Sequence, residues 1–135
     1  MPYPASTMYA LVNDVASYPE FLPWCRSSVV HVEEDDFMEA SLELVKGGWS
    51  GVFTTSNRLV PGQRIEIGLA EGPFRHLEGL WTFSGLADEG SEVSLRLDFE
   101  FRSLVAGMVA GPVFEDIANS LVDAFVHRAK KLYGT

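Results

Sequence analysis

From Glu92 to Phe101 the chain alternates without a break. Val93, Leu95, Leu97, Phe99 and Phe101 share one phase, and Glu92, Ser94, Arg96, Asp98 and Glu100 share the other. A strand sends successive side chains to opposite faces, so this segment predicts a strand with one dry and one wet side. The pattern returns along the chain. Met38, Ala40, Leu42 and Leu44 alternate with Glu39, Ser41 and Glu43, and Ile65, Ile67 and Leu69 with Arg64, Glu66 and Gly68. Trp49 to Leu59 and His76 to Ser84 put Trp49, Phe53, Leu77, Trp81 and Phe83 on apolar faces, and Val29 to Val32 makes a sixth candidate. Between them lie Glu33 to Asp36, Gly47-Gly48, Pro61-Gly62 and Asp88-Glu89-Gly90-Ser91, all short and rich in turn formers. Links this short join antiparallel neighbours, because a parallel crossover needs a dozen or more residues. The middle of the chain therefore reads as an antiparallel meander with one face that must be covered.

Helices bracket the meander. Ser6 is placed to cap a short helix through Val12, and Tyr18-Pro19-Glu20-Phe21-Leu22-Pro23 reads as a second helical turn bounded by prolines. From about Gly111 to Leu132, Val113, Ile117, Leu121 and Phe125 recur every fourth residue, flanked by Phe114, Ala118 and Val122, as one broad apolar stripe. Pro112 suits the first turn of that helix. Glu115 and Asp116 come early, and His127, Arg128, Lys130 and Lys131 come late, as the helix dipole favours. At its ordinary rise such a helix is on the order of 30 Å long, enough to cross the sheet. The expectation is α+β: a curved antiparallel sheet around a long C-terminal helix, in a single domain spanning 1–135.

Composition removes several classes. The 135 residues, 47% hydrophobic and 21% charged, suit one folded domain, with no internal repeat or linker. Ten Lys and Arg against nineteen Asp and Glu give a net charge of −9, which argues against broad nucleic-acid binding through phosphate neutralisation. The single Cys25 excludes an internal disulfide. No apolar run approaches bilayer length, and Met1-Pro2-Tyr3-Pro4 lacks the features of a signal peptide, so a cytoplasmic domain without a transmembrane segment is expected.

Catalytic and metal-binding patterns are sparse. His31, His76 and His127 lack ligand spacing, and His31 and His76 fall on the wet phase of their strands. Cys25 follows Pro23-Trp24 with no activating partner in view and reads as an inert thiol. Glu33-Glu34-Asp35-Asp36 reads as a solvated hairpin tip, and the basic end of the long helix is the place to look for an anionic partner. No catalytic residue, metal ligand or required cofactor is assigned. The aromatic load is the unusual feature. Trp49, Phe53, Trp81, Phe83, Phe99 and Phe101 lie on inward phases, opposite Phe114 and Phe125 of the helix. Periodicity admits two readings of them, a solid core or an apolar hollow between sheet and helix.

Three stretches carry a resemblance. Leu11-Val12-Asn13-Asp14-Val15 runs into Tyr18-Pro19-Glu20-Phe21-Leu22-Pro23-Trp24-Cys25. Asn57-Arg58-Leu59-Val60-Pro61-Gly62 is followed by Glu71-Gly72-Pro73-Phe74 and Leu77-Glu78-Gly79-Leu80-Trp81. Gly111-Pro112-Val113-Phe114 leads to Ile117-Ala118-Asn119-Ser120-Leu121-Val122-Asp123-Ala124-Phe125. Together they resemble the coenzyme Q-binding, START-like family within the polyketide cyclase/dehydrase superfamily, whose bacterial members include the ribosome association toxin A branch. The resemblance implies a helix-grip (START/Bet v 1-like) fold and a hydrophobic ligand, ubiquinone or another lipid, held between sheet and helix in support of respiration. For the toxin branch of a toxin–antitoxin pair it implies binding to the large ribosomal subunit and a block of subunit association. The cyclase label implies an aromatase-like enzyme, which needs a polar group inside the cavity; Arg58, Glu78 and Arg96 lie on outward phases instead.

A non-enzymatic binder of a hydrophobic molecule is the leading expectation, with the ribosomal toxin as alternative and the cyclase third. The expected lining is Trp49, Phe53, Ile67, Leu69, Trp81, Ile117, Leu121 and Phe125, with Phe74 at the rim of the mouth. Asn13, Tyr18, Asn57 and Arg58 are the candidates to hold polar atoms of the ligand. Family members also carry a strand before the first helix, where this chain begins at Pro2-Tyr3-Pro4. A missing strand would leave the edge of Glu92 to Phe101 open, to be covered by a second copy of the chain or by a longer terminal arm. An inner-membrane periphery is a further expectation for a quinone binder.

Overall fold

Gly47 and Gly48 both take positive φ, 60° and 80°, and so close a two-residue hairpin that pairs Lys46 with Trp49. Turns of this hand match the twist of the strands they join, and they require residues without a Cβ penalty at φ > 0. In the computed structural model, which describes residues 3–86 and 90–134 apart from the side chain of Ala106, this hairpin belongs to one six-stranded antiparallel sheet. Its strands are β1 (Cys25–Glu33), β2 (Phe37–Lys46), β3 (Trp49–Val60), β4 (Arg64–Glu71), β5 (Phe74–Gly85) and β6 (Ser91–Phe101), in chain order. The expected meander is therefore present. Of its closing turn, Asp88 and Glu89 lie outside the described residues, and Leu86 N–H donates to Gly90 O at 3.0 Å.

β1 starts four residues before the expected Val29. Its first residues are polar and show no alternation, but pairing with β2 from Cys25↔Leu44 onwards, through two register shifts, holds them in the sheet. β6 pairs on one side only, with β5, and no strand precedes the first helix among the described residues.

Helix α1 covers Ala5–Asn13. Ser6 does not cap it, because the helix has already begun. Pro4 occupies the cap position in extended conformation, and its carbonyl accepts from Thr7 and Met8 N–H at 3.1 and 3.2 Å. The expected helical turn at Tyr18 to Pro23 lies earlier, as a 3-10 segment over Val15–Glu20 that contains Pro19.

Helix α2 runs Leu104–Tyr133, thirty residues, and so begins seven before the expected Gly111. Pro112 lies in its interior and Glu115 and Asp116 well past its first turn, because Ala110 and Phe114 are buried and hold the helix to the sheet on both sides of the proline. The added turns face outward. Leu104, Val105, Met108 and Val109 are 64% to 85% exposed. No described helix is long and apolar enough to cross a membrane.

The inner face of the sheet and α2 enclose two apolar clusters. One joins α1 to Met38, Ala40, Ile65, Trp81 and Phe83 and to Phe125 and Ala129 of α2. The other joins Leu22, Trp24 and Cys25 to Phe53, Phe74, Phe101, Phe114 and Ile117.

Candidate functional site

The two clusters do not fill the space between sheet and helix. A cavity of about 100 Å³ remains where they meet. β2 contributes Ala40, Leu42 and Leu44, β3 Phe53, Thr55 and Asn57, β4 Ile67, β5 Leu77 and Trp81, and β6 Leu97. α2 closes the other side with Phe114, Ile117, Ala118, Leu121 and Phe125, and Val15, Tyr18 and Trp24 close one end. Strand periodicity explains the β3 residues: positions 53, 55, 57 and 59 share the inner face, and two of them are polar.

Six of the expected lining residues come together here: Phe53, Ile67, Trp81, Ile117, Leu121 and Phe125. Three do not. Trp49 lies by a second, open cleft of about 750 Å³ that also takes in His31, Gly72 and Arg102. Leu69 packs against the second cluster. Phe74, expected at a rim, is fully buried, with ring centroids 4.7 Å from Phe101, 5.1 Å from Phe114 and 5.5 Å from Phe53. Gly72 makes that burial feasible. Its φ is 152°, and a Cβ there would stand 2.7 Å from Phe53 Cβ, so the turn crosses Phe53 closely and delivers Phe74 inward.

Besides the indoles of Trp24 and Trp81, three polar side chains line the cavity: Tyr18, Thr55 and Asn57. Tyr18 is already engaged, its hydroxyl donating to Val12 O. Burial pushes its pKa well above the usual phenol range, with the Cys25 thiol and the Asp14 carboxylate adding to the shift, so it is neutral. Asn57 is different. It is 8% exposed, its Oδ1 has no hydrogen-bond partner, and its cross-strand neighbours are Met38 and Ile67. An unpaired buried amide costs about 1–3 kcal/mol. Of the other polar candidates, Asn13 stands outside the cavity and Arg58 is exposed, as are Glu78 and Arg96.

Chemistry elsewhere is muted. His31 Nε2 meets Ser41 Oγ at 2.7 Å and His76 Nε2 meets Asp98 at 3.2 Å, both on the outer face. Cys25 is buried, and its pKa is pushed up to about 11 by burial and by the Glu43 carboxylate, which leaves a protonated thiol near neutral pH. Among the described residues no three His, Cys, Asp or Glu gather as a metal site. At the basic end of α2, Arg128 serves the fold. Its guanidinium sits 3.4 Å from Glu20 and 4.8 Å above the Phe21 ring, with only 12% of the side chain exposed. Lys130 and Lys131 are exposed.

Against known proteins, the chain is 47% identical over 134 residues to the ribosome association toxin of Pseudomonas aeruginosa, covering 99% of this chain and 93% of that one. It is 31% identical to the mitochondrial coenzyme Q-binding protein COQ10 homolog B of Xenopus laevis, over 94% of this chain and 54% of that one. Among solved structures, an aromatase/cyclase from a Streptomyces superposes with a TM-score of 0.85 over 99% of this chain and 93% of that one. At 19% identity that likeness is one of fold. The helix-grip, START/Bet v 1-like arrangement is thus present. With a family model matched over residues 1–126, the chain belongs to the polyketide cyclase / dehydrase and lipid transport family, on the branch that holds the ribosome association toxins.

Proposed function

We propose that this chain is a non-enzymatic, cytoplasmic protein that associates with the large ribosomal subunit and blocks its joining to the small one. The observation that carries the reading is 47% identity across 99% of the chain to a protein named for ribosome association. A net charge of −9 repels bulk ribosomal RNA, so the contact must be local. The exposed Lys130 and Lys131 offer the place for it, because Arg128 beside them is held by Glu20 and Phe21. The test is cosedimentation of the purified chain with large subunits across a salt series. Association at low salt, weakened severalfold by Lys130→Glu with Lys131→Glu, is expected. With about two phosphates contacted, the slope of log affinity on log salt should be shallow, roughly −2. No pelleting at low salt would remove the proposal.

A second reading has its own support. The apolar cavity, together with 31% identity to a coenzyme Q-binding protein, favours a hydrophobic ligand such as ubiquinone or another lipid, taken up at a membrane periphery. At about 100 Å³ the hollow is near ring size, against roughly 300–1,000 Å³ for ordinary ligand pockets, so a prenylated quinone requires α2 to move off the sheet. Native mass spectrometry of protein purified without detergent tests this reading. The same spectrum counts chains, and so tests whether a second copy pairs along the open edge of β6.

A further inference from the structure

Asn57 brings to the cavity a polar atom that no described residue satisfies. Asn57 Oδ1 has no partner, the residue is more than nine-tenths buried, and it lines the hollow. Its cross-strand neighbours Met38 and Ile67 have nothing to donate, and the Tyr18 hydroxyl is committed to Val12 O. The rest of the wall is mostly apolar, its other polar groups being Thr55, the Tyr18 hydroxyl already given to Val12 O, and the indole N–H groups of Trp24 and Trp81. The volume is also informative, since an engineered apolar cavity of about 150 Å³ takes benzene. We propose that the cavity is a site for a single-ring apolar molecule carrying a hydroxyl, and that Asn57 selects it by accepting the hydroxyl proton at Oδ1.

This inference rests on the reading that the cavity takes a ligand, and adds which chemistry it takes. Two consequences follow from the same geometry. A ring without a hydroxyl leaves the amide oxygen unpaired in a dry site, so it gains nothing from Asn57. A leucine at position 57 removes the acceptor while keeping an apolar wall, so it should turn discrimination the other way. A hydroxyl brought into that variant cavity would itself be stranded.

The experiment compares phenol with benzene as probes of the full chain, followed by methyl NMR shifts of Leu42, Ile67 and Leu121. In the wild type phenol should bind more tightly than benzene, by about fivefold or more. In Asn57→Leu the ratio of phenol to benzene affinity should fall about tenfold. Asn57→Ala, which enlarges the hollow, should lose the preference too and serves if the leucine variant fails to fold. Benzene binding with no phenol preference in the wild type, or a ratio unchanged in the variants, overturns the selection by Asn57 and leaves the ligand cavity standing. Shifts with neither probe overturn the ligand reading and this inference with it.

Discussion

Cys25 and Tyr18 are weak acids that burial keeps protonated, and each ties folding to alkaline pH. An unfolded Cys25 releases its proton around its ordinary 9.0, whereas the folded one holds it to about 11. Between those values the unfolded chain binds fewer protons than the folded one, so stability falls as pH rises and is fully present below 9. Tyr18 acts in the same direction above its ordinary 10.0. The thermal midpoint should therefore be flat in this respect up to pH 9 and then decline towards pH 11. In Cys25→Ser the decline should begin about a unit later, when tyrosine takes over; an identical curve in the variant would contradict the assignment. The serine buries a hydroxyl in place of the thiol and so lowers stability at every pH, and the test lies in where the decline begins rather than in its height. At this scale Asn57 is legible as a candidate, but its unpartnered Oδ1 is not. Counting by twos from Phe53 puts positions 55 and 57 inward; Asn57 is among the sequence candidates for a ligand's polar atoms, whereas Thr55, on the same face, is not.

Among the elements, α2 departs most from expectation. A proline suits a first turn, and Leu104 to Ala110 shows no stripe because four of its apolar side chains point to solvent. Tertiary contact keeps these turns helical: Ala110 is fully buried and Gly107 lies against Phe101, with 3.5 Å from its Cβ position to the Phe101 Cβ. Pro112 has no N–H to give the carbonyl four residues back, so the turns before it are tied to the rest by one hydrogen bond fewer. Amide exchange should accordingly be faster over 104–111 than over 113–130, by ten-fold or more at matched intrinsic rates. Uniform protection along the helix would show that packing alone sets its stability. The strands, by contrast, are legible nearly to the residue, because one face of each is wet and period two survives in the letters. β1 is the exception, since Cys25 to Ser28 is polar and joins the sheet only through β2.

For the whole molecule, the interior cavity and the outer surface can be separated. Ala118 lines the hollow from α2, and a leucine there puts an isobutyl group into space that is already empty. Ala118→Leu should keep or raise stability, since filling a void regains contacts. It should abolish any added mass in native mass spectrometry and leave cosedimentation with large subunits intact. Loss of both together would mean that the cavity and the ribosomal contact act as one.

The sequence by itself determined the α+β class, the order and partners of five strands, the helix laid across them, and six of the residues around the cavity. Those follow from local rules, because alternation and turn chemistry are written in neighbouring letters. Tertiary structure alone decided that the walls stop short of each other by about 100 Å³, that Phe74 goes inward rather than to a rim, and that Asn57 is left without a partner. Each depends on how far apart β3, β5 and α2 come to rest. A separation between elements distant in the chain is a sum of many side-chain volumes, and no run of neighbouring residues encodes it.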